Sequence, residues 1–499
     1  AGETWAGSPA RPVAAAPPPA PPPERGALHR VAVALLYCLL VLLLPLVPVA
    51  AIVPGMGLLM RIGIDHPWRF LAAAPVVGGS FVLLLALEVV VLKWLLVGRV
   101  RAGTYPLHGS FYVRNWTVEQ LMAFSLQVVA PIYATLHVVP WYRALGAKIG
   151  RLVELSTASF TPPDLLEIAE GGTIADDASI GEPRVERGWL TVARTRIGRR
   201  AFVGNSGVLP TGVELGDDAL VGVLSTAPTT PGAAARAGSA WLGSPPLELP
   251  RREASAGFIE KRTYAPPAWL IFTRGTVELL RITLPPSGFI LVSATVVTAT
   301  LESWTSRGPL AALLFLPLVY AACCAAVLLV TALAKWTLIG RYQPFVCPLW
   351  SPFVWRLELV NSLYEFLATP LALGVLQGTP LLPWYLRLMG AKVGRRVYTE
   401  TTGFLEWDLV ELGDRAVLNE DCVLQTHLFE DRMLKASRLR VGADCTVGAM
   451  SVVLYDSHMQ DGSSLDALSL LMKGETLRAG TSWHGIPPVP SEAQPRERS

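Results

Sequence analysis

The pattern W-x-G-x-P occurs three times in this chain, and its spacing makes the chain a repeat of domain-sized modules. Trp5-Ala6-Gly7-Ser8-Pro9, Trp241-Leu242-Gly243-Ser244-Pro245 and Trp483-His484-Gly485-Ile486-Pro487 stand 236 and 242 positions apart. Between them the landmarks recur in order. Lys93-Trp94 answers Lys335-Trp336, Gly98-Arg99 answers Gly340-Arg341, Pro106-Leu107 answers Pro348-Leu349, and Arg114 answers Arg356. Pro140-Trp141-Tyr142 returns as Pro383-Trp384-Tyr385, and Gly146-Ala147-Lys148-Ile149-Gly150-Arg151 as Gly390-Ala391-Lys392-Val393-Gly394-Arg395. So long a period exceeds any single solenoid coil and indicates a duplicated module. Residues 1–10 read as the end of a preceding module, so the chain is expected to be the C-terminal part of a longer polypeptide.

Apolar residues make up 52% of the chain and charged residues 16%. The net charge of +3 argues against a nucleic-acid partner. Six cysteines without a C-x-x-C pair point to neither a zinc site nor a disulfide framework, and read as small reduced core residues. Four uncharged runs have the ~20 residues a membrane helix needs: Val31 to Val53, Phe70 to Leu87, Thr283 to Leu301 and Gly308 to Ala334. They form two hairpins, 28–97 and 283–340, turning at His66 to Arg69 and at Glu302 to Arg307. The 11–27 segment is a proline-rich linker and 251–282 a second connector. Arginines and lysines gather on one side of each hairpin, which places the polar parts in the cytoplasm of a multi-pass bacterial membrane protein. Glu88, at the end of a membrane helix, reads equally as a functional ionisable group or as a partner of Lys93. The patterned stretches 98–145 and 341–389 read as amphipathic helices lying in the interface or against the next domain.

After each G-A-K-h-G-R the period becomes six. Ile197, Val203, Leu209, Leu215 and Val221 keep it without a slip, as do Ile168, Ile174 and Ile180. Leu412, Leu418 and Leu424, then Val441, Val447 and Val453, repeat it in the second module. Six fits neither helix nor plain strand and fits a three-sided parallel β-helix. Each aliphatic residue points inward, and the following glycine is expected to turn the corner with positive φ. The coils span 146–250 and 390–488, with a disordered tail at 489–499. The fold class is thus α + β, membrane hairpins alternating with β-helix domains. Asn205 aligns with Asn419 at an offset of 214, which gives the first module thirty extra residues before this point. Asp461 to Ser464 followed by Leu465 to Lys473 reads as a turn and short helix over the end of the coil.

The chemistry concentrates in Asn419 to Arg432. His427 follows a hexad and opens an excursion, where a neutral imidazole can act as base with Glu430 or Asp431 orienting it. Asn419, His427, Glu430 and Asp431 form the candidate catalytic set. In the aligned stretch Leu209-Pro210-Thr211-Gly212 of the first module, Gly212 takes the place of His427, so the first module is expected to lack the base. His458 and His484 read as solvated loop residues. Lys148 and Lys392 are candidate phosphate contacts, with a surface lysine at the first coil as the plainer reading.

The six-residue pattern resembles the hexapeptide-repeat acyltransferases, a resemblance that implies a left-handed coil. The recurring order of hairpin, interfacial stretch, G-A-K-h-G-R and hexads resembles the C-terminal membrane region of nonribosomal-peptide-synthetase-like poly(amino acid) synthetases such as ε-poly-lysine synthetase. That resemblance implies three tandem modules, upstream adenylation and thiolation domains as partners, and amide formation from an aminoacyl thioester. It implies a donor carried on the phosphopantetheine arm of the upstream carrier domain, no cofactor or metal bound by this region, and a growing peptide as product. The alternatives are an inert membrane anchor or product conduit, and a hexapeptide-repeat acyl-CoA acyltransferase.

Overall fold

A computed structural model describes residues 4–6, 11–13, 20–22, 26–62, 66–157, 159–160, 162–250, 258–430 and 432–491. Asp431, Gly7 to Pro9, most of the proline-rich linker, the head of the 251–282 connector and the tail from Glu492 lie outside these residues. The chain divides into two compact units. The first holds Ala1–Ala254 with Glu278–Leu291, and the second Ser255–Val277 with Val292–Ser499.

In the first unit, helices α1 (Ala27–Leu43), α2 (Leu46–Ile62) and α3 (Pro67–Leu96) carry the apolar runs. Helices α4 (Ser110–Val128) and α5 (Val138–Ala144) follow. Tyr133, Trp141, Tyr142 and Leu145 are buried in one core with the first coil rather than spread on an interface. The coil residues form parallel columns. Ile149, Ile168, Ile197 and Leu215 stack on one face. Leu155, Ile174, Val203 and Val221 stack on the second, and Ile180 with Leu209 on the third. Ile197, Val203, Leu209 and Leu215 are at most 2% exposed and share one core.

Helix α6 (Ala268–Arg307) contributes its Glu278–Leu291 stretch to the first unit. There Arg281 donates to the Ala134 carbonyl, and Glu278 accepts from the Leu136 amide. Buried charges tied in this way to backbone avoid the penalty of an unpaired ion. Helix α7 (Pro309–Leu338) follows directly. Four segments, 27–62, 68–96, 268–307 and 309–338, are long and apolar enough to cross a membrane.

Several expected boundaries shift. Helix α6 begins at Ala268, inside the expected 251–282 connector, and runs through the expected Glu302 to Arg307 turn. The turn is Gly308 alone, at φ +88°, a conformation that costs glycine little. Proline at the first position then starts α7, as it starts α3.

The second unit repeats the coil. Val393, Leu412, Val441, Met459 and Leu477 make one column. Leu418, Val447 and Leu465 lie on the second face, and Leu424, Val453 and Leu471 on the third. The expected short helix over Leu465 to Lys473 is absent: Ser464–Leu465 and Leu470–Leu471 are strands of a further coil. The hexads continue through Met459, Leu465, Leu471 and Leu477, each at most 1% exposed.

Gly181, after Ile180, takes the expected positive φ of +68°, but the glycines of the following coils serve a different purpose. Positive φ falls on Arg200, Ser206 and Asp218, not on Gly198, Gly204 or Gly216. A Cβ on Gly198 would come within 2.5 Å of the next coil's backbone at Gly216, so glycine there lets adjacent coils stack.

One ion pair recurs where the second long apolar helix of each module meets its coil. Lys93 of α3 lies 2.9 Å from Asp164, and Lys335 of α7 lies 2.7 Å from Asp408. All four side chains are buried or nearly so, at 1%, 4%, 0% and 11% exposed. Each ammonium also sits over its neighbouring indole, 3.6 Å from the Trp94 ring and 3.4 Å from the Trp336 ring. Those indoles donate to the Ala144 and Leu388 carbonyls. Lys93 therefore pairs with Asp164 and not with Glu88, whose Oε2 is buried without a hydrogen bond.

Removing one member of a buried pair strands the other charge, at a cost of about 3–5 kcal/mol. Asp408→Asn is expected to lower the unfolding temperature of the detergent-purified chain sharply. Lys392→Ala, which removes an exposed pair, is expected to change stability by ~1 kcal/mol or less. Equal shifts in a thermal melt would count against the buried pair as a stabilising contact.

Candidate functional site

The candidate site grows from an antiparallel excursion set between two coils. In the second unit His427–Glu430 turns back on Met433–Ala436, and Phe345–Pro348 adds a third strand. In the first unit Arg184–Glu186, Trp189–Val192 and Gly103–Pro106 do the same. The two excursions occupy the same place. Glu186 pairs with Trp189 where Glu430 pairs with Met433, 244 positions later. The same offset relates Ile180 to Leu424 and Ile197 to Val441 across the flanking coils.

This register overturns the Asn205–Asn419 alignment and the thirty extra residues. Asn419 corresponds to Ala175, and His427 to Pro183 rather than Gly212. The inference that the first module has no histidine at this point survives on the corrected partner.

His427 is 9% exposed, and its ring is held by a residue from another coil. Its Nδ1 lies 2.8 Å from Glu406 Oε2. Thr426 Oγ1 donates to the same oxygen at 2.6 Å. Glu406 is fully buried, and its second oxygen, Oε1, has no hydrogen bond among the described residues. The Glu406 backbone is left-handed at φ 38°, an unfavourable conformation for a residue with a Cβ. Strain of this kind gathers at working sites. Phe429 closes one side of the imidazole, edge to face at 5.6 Å. The arrangement holds the ring's Nδ1 against a carboxylate, which orients the imidazole.

The expected partners are placed differently. Glu430 does not orient the imidazole: its carboxylate takes Lys435 at 3.0 Å and Lys473 at 3.6 Å. The Asn419 amide donates to the Val447 carbonyl at a corner of the coil. Lys392 lies 3.6 Å from Glu411, and Lys148 stands in register with Glu167, so both lysines face carboxylates on the outer surface. His458 lies in a strand, half-buried, and His484 contacts Ser491 Oγ at 2.9 Å. Burial pushes the Cys422 thiol up to about 12, which suits an inert core residue.

Glu406 was missed, although the sequence held a signal for it. The short 3-10 turns Pro163–Leu165 and Trp407–Leu409 correspond, so Glu406 takes the place of Pro162. Where the second module has Glu406 and His427, the first has Pro162 and Pro183. Two polar residues that replace two prolines in one copy, and meet in space, could be found by comparing the copies in the right register.

The site thus brings together an imidazole and a buried carboxylate, and no group of three or more metal-ligating side chains lies among the described residues. Over 402 residues the chain is 40% identical to delta-poly-L-ornithine synthetase of Acinetobacter baumannii (strain AB307-0294), a match covering 80% of this chain. The chain is a homologue of the poly(amino acid) synthetases over that stretch, as its motifs led us to expect. It spans 30% of the length of that relative. No family model matches the chain. Among solved structures, soybean serine acetyltransferase is 11% identical at a TM-score of 0.20, covering 43% of this chain and 76% of its own. The serine acetyltransferase of Neisseria gonorrhoeae is 12% identical at 0.19, covering 44% and 83%. Likeness of that degree carries no argument.

Glu406→Ala removes the acceptor of both Thr426 and His427 and leaves buried donors unmade, a cost of about 1–3 kcal/mol. The variant is expected to melt earlier. Its His427 should be carbethoxylated faster by diethyl pyrocarbonate, read residue by residue in a mass spectrometer. Unchanged reactivity would mean that the carboxylate does not hold the ring.

Proposed function

We propose that this chain is the membrane-embedded part of a poly(amino acid) synthetase, and that its second module forms the amide bond. The observation that carries this is the buried Glu406–His427 pair, present in one module and replaced by prolines in the other. The donor substrate is an aminoacyl thioester on the phosphopantetheine arm of a carrier domain elsewhere in the polypeptide. The acceptor is the amine of the growing peptide or of a second aminoacyl group.

The chemistry needs few parts. The amine attacks the thioester carbonyl, a C–N bond forms, the C–S bond breaks, and the carrier thiol leaves. His427 Nε2 accepts the proton the amine loses and returns it to the departing sulfur. Glu406 stabilises the imidazolium that exists between those events. The first module, lacking the pair, serves as scaffold. Lys148 and Lys392, facing carboxylates, take no part in the step. This reading places the coils on the cytoplasmic side, beside the adenylation and thiolation partners, and takes the hand of the coil to be left.

General-base catalysis contributes roughly 10²–10⁴-fold. His427→Ala in the full-length enzyme is therefore expected to cut polymer formation by ~100-fold or more, with aminoacyl loading of the carrier unchanged. Glu406→Gln should retain part of the rate. Polymer made at the normal rate by His427→Ala would refute the base. Polymer made by the soluble domains alone would refute a role for this region in bond formation.

A further inference from the structure

A cavity of about 510 Å³ lies in the first unit, just beyond the end of α3. Arg99, Arg101 and Arg194 line it, with Val100, Leu165 and Asp164. The three arginines are exposed, and none has an ion pair among the described residues. Asp164 does not offset them, because Lys93 already pairs with it at 2.9 Å. The cavity therefore presents an excess of three positive charges on planar, forked donors, the geometry that suits phosphate oxygens.

The second module shows what this place looks like when closed. Arg99 corresponds to Arg341, Arg194 to Arg438, Val100 to Tyr342 and Arg101 to Gln343. Tyr342 is 4% exposed. Its amide donates to Asp408 Oδ2 at 3.2 Å, and its ring stands 5.6 Å from Lys335 Nζ and 6.3 Å from Trp407. A tyrosine thus fills the second module where valine stands beside a cavity in the first. The exchange at the next position, Arg101 for Gln343, adds the third arginine.

We propose that the first-module cavity is a phosphate-group site occupied by the headgroup of an anionic phospholipid. Position decides the source. Arg99 follows the last residue of α3, Leu96, by three positions, and Trp94, at the end of the same membrane helix, is 44% exposed. Tryptophan and arginine at such a helix end lie at the level of lipid phosphates. A pocket of arginines there meets a headgroup at no further cost of bringing it from solution. The site would seat the scaffold module at a fixed depth, and it is independent of the amide-forming reading.

The test uses the whole chain purified in detergent, titrated with short-chain phosphatidylglycerol, short-chain phosphatidylcholine or inorganic phosphate, with bound molecules counted by native mass spectrometry. Wild type is expected to retain phosphatidylglycerol in preference to phosphatidylcholine. Arg101→Gln should weaken retention about fivefold. Val100→Tyr, which fills the space and leaves every charge, should abolish it. Val100→Tyr could disturb packing, so the surface variant Arg101→Gln keeps the test decisive. Equal retention by wild type and both variants, or equal retention of the two lipids, would overturn the site. Saturation by inorganic phosphate with no retention of phosphatidylglycerol would overturn the lipid as its occupant.

Discussion

The buried lysine–aspartate pair at the head of each coil is the contact on which each module depends. A membrane helix and a parallel β-helix have no shared hydrogen-bond ladder. They are joined by Lys93 with Asp164, and by Lys335 with Asp408. A charge at the end of an apolar helix, out of water, is tolerated only with a partner. That requirement reaches outward to its neighbours. The indole beside each lysine donates to a carbonyl at the end of the short helix that leads into the coil, Ala144 or Leu388. The first glycine of each G-A-K-h-G-R stands against the aspartate, with φ near +114° in both copies. A Cβ there would lie 2.6 Å from Asp164 Oδ1 or 2.5 Å from Asp408 Oδ1. The motif is therefore a packing requirement of the ion pair. Three residues before that glycine, Arg143 and Arg387 each donate to two carbonyls of the first coil.

Given that joint, the coil positions the site. Eighteen residues complete a turn where no excursion intervenes, as from Ile197 to Leu215 and from Val441 to Met459. The one large excursion in each module opens after the third face of the second coil. Its strand is backed by the segment that follows the membrane hairpin. In the second module that excursion begins with His427, directly above the turn that carries Glu406. The pair is a product of stacking: residues 21 apart meet because one coil lies on the next.

Duplication followed by divergence explains the rest. Both copies keep the joint, the columns and the excursion. One keeps the carboxylate and imidazole, and the other has an arginine-lined cavity at the place of Tyr342 and Gln343. Prolines at 162 and 183 close the first possibility in the first copy, because Pro162, at φ −44°, cannot take the left-handed backbone that Glu406 uses. Tyr342 closes the second in the other copy.

Periodicity alone determined the duplicated module, the apolar helices and the inward columns, because each depends on side chains recurring at a period the backbone imposes. The same regularity misled where it had no anchor. Pairing Asn205 with Asn419 slipped the copies by thirty residues, so near to a whole number of coils that Val203 and Leu209 fell against Val417 and Val423, each one position from the inward Leu418 and Leu424. Only stacked coordinates break that degeneracy, since hydrogen-bond register counts coils and sequence similarity does not. Glu406, Asp164 and Asp408 became visible for the same reason: their partners lie one coil or one domain away, and proximity across that distance is a property of the folded chain.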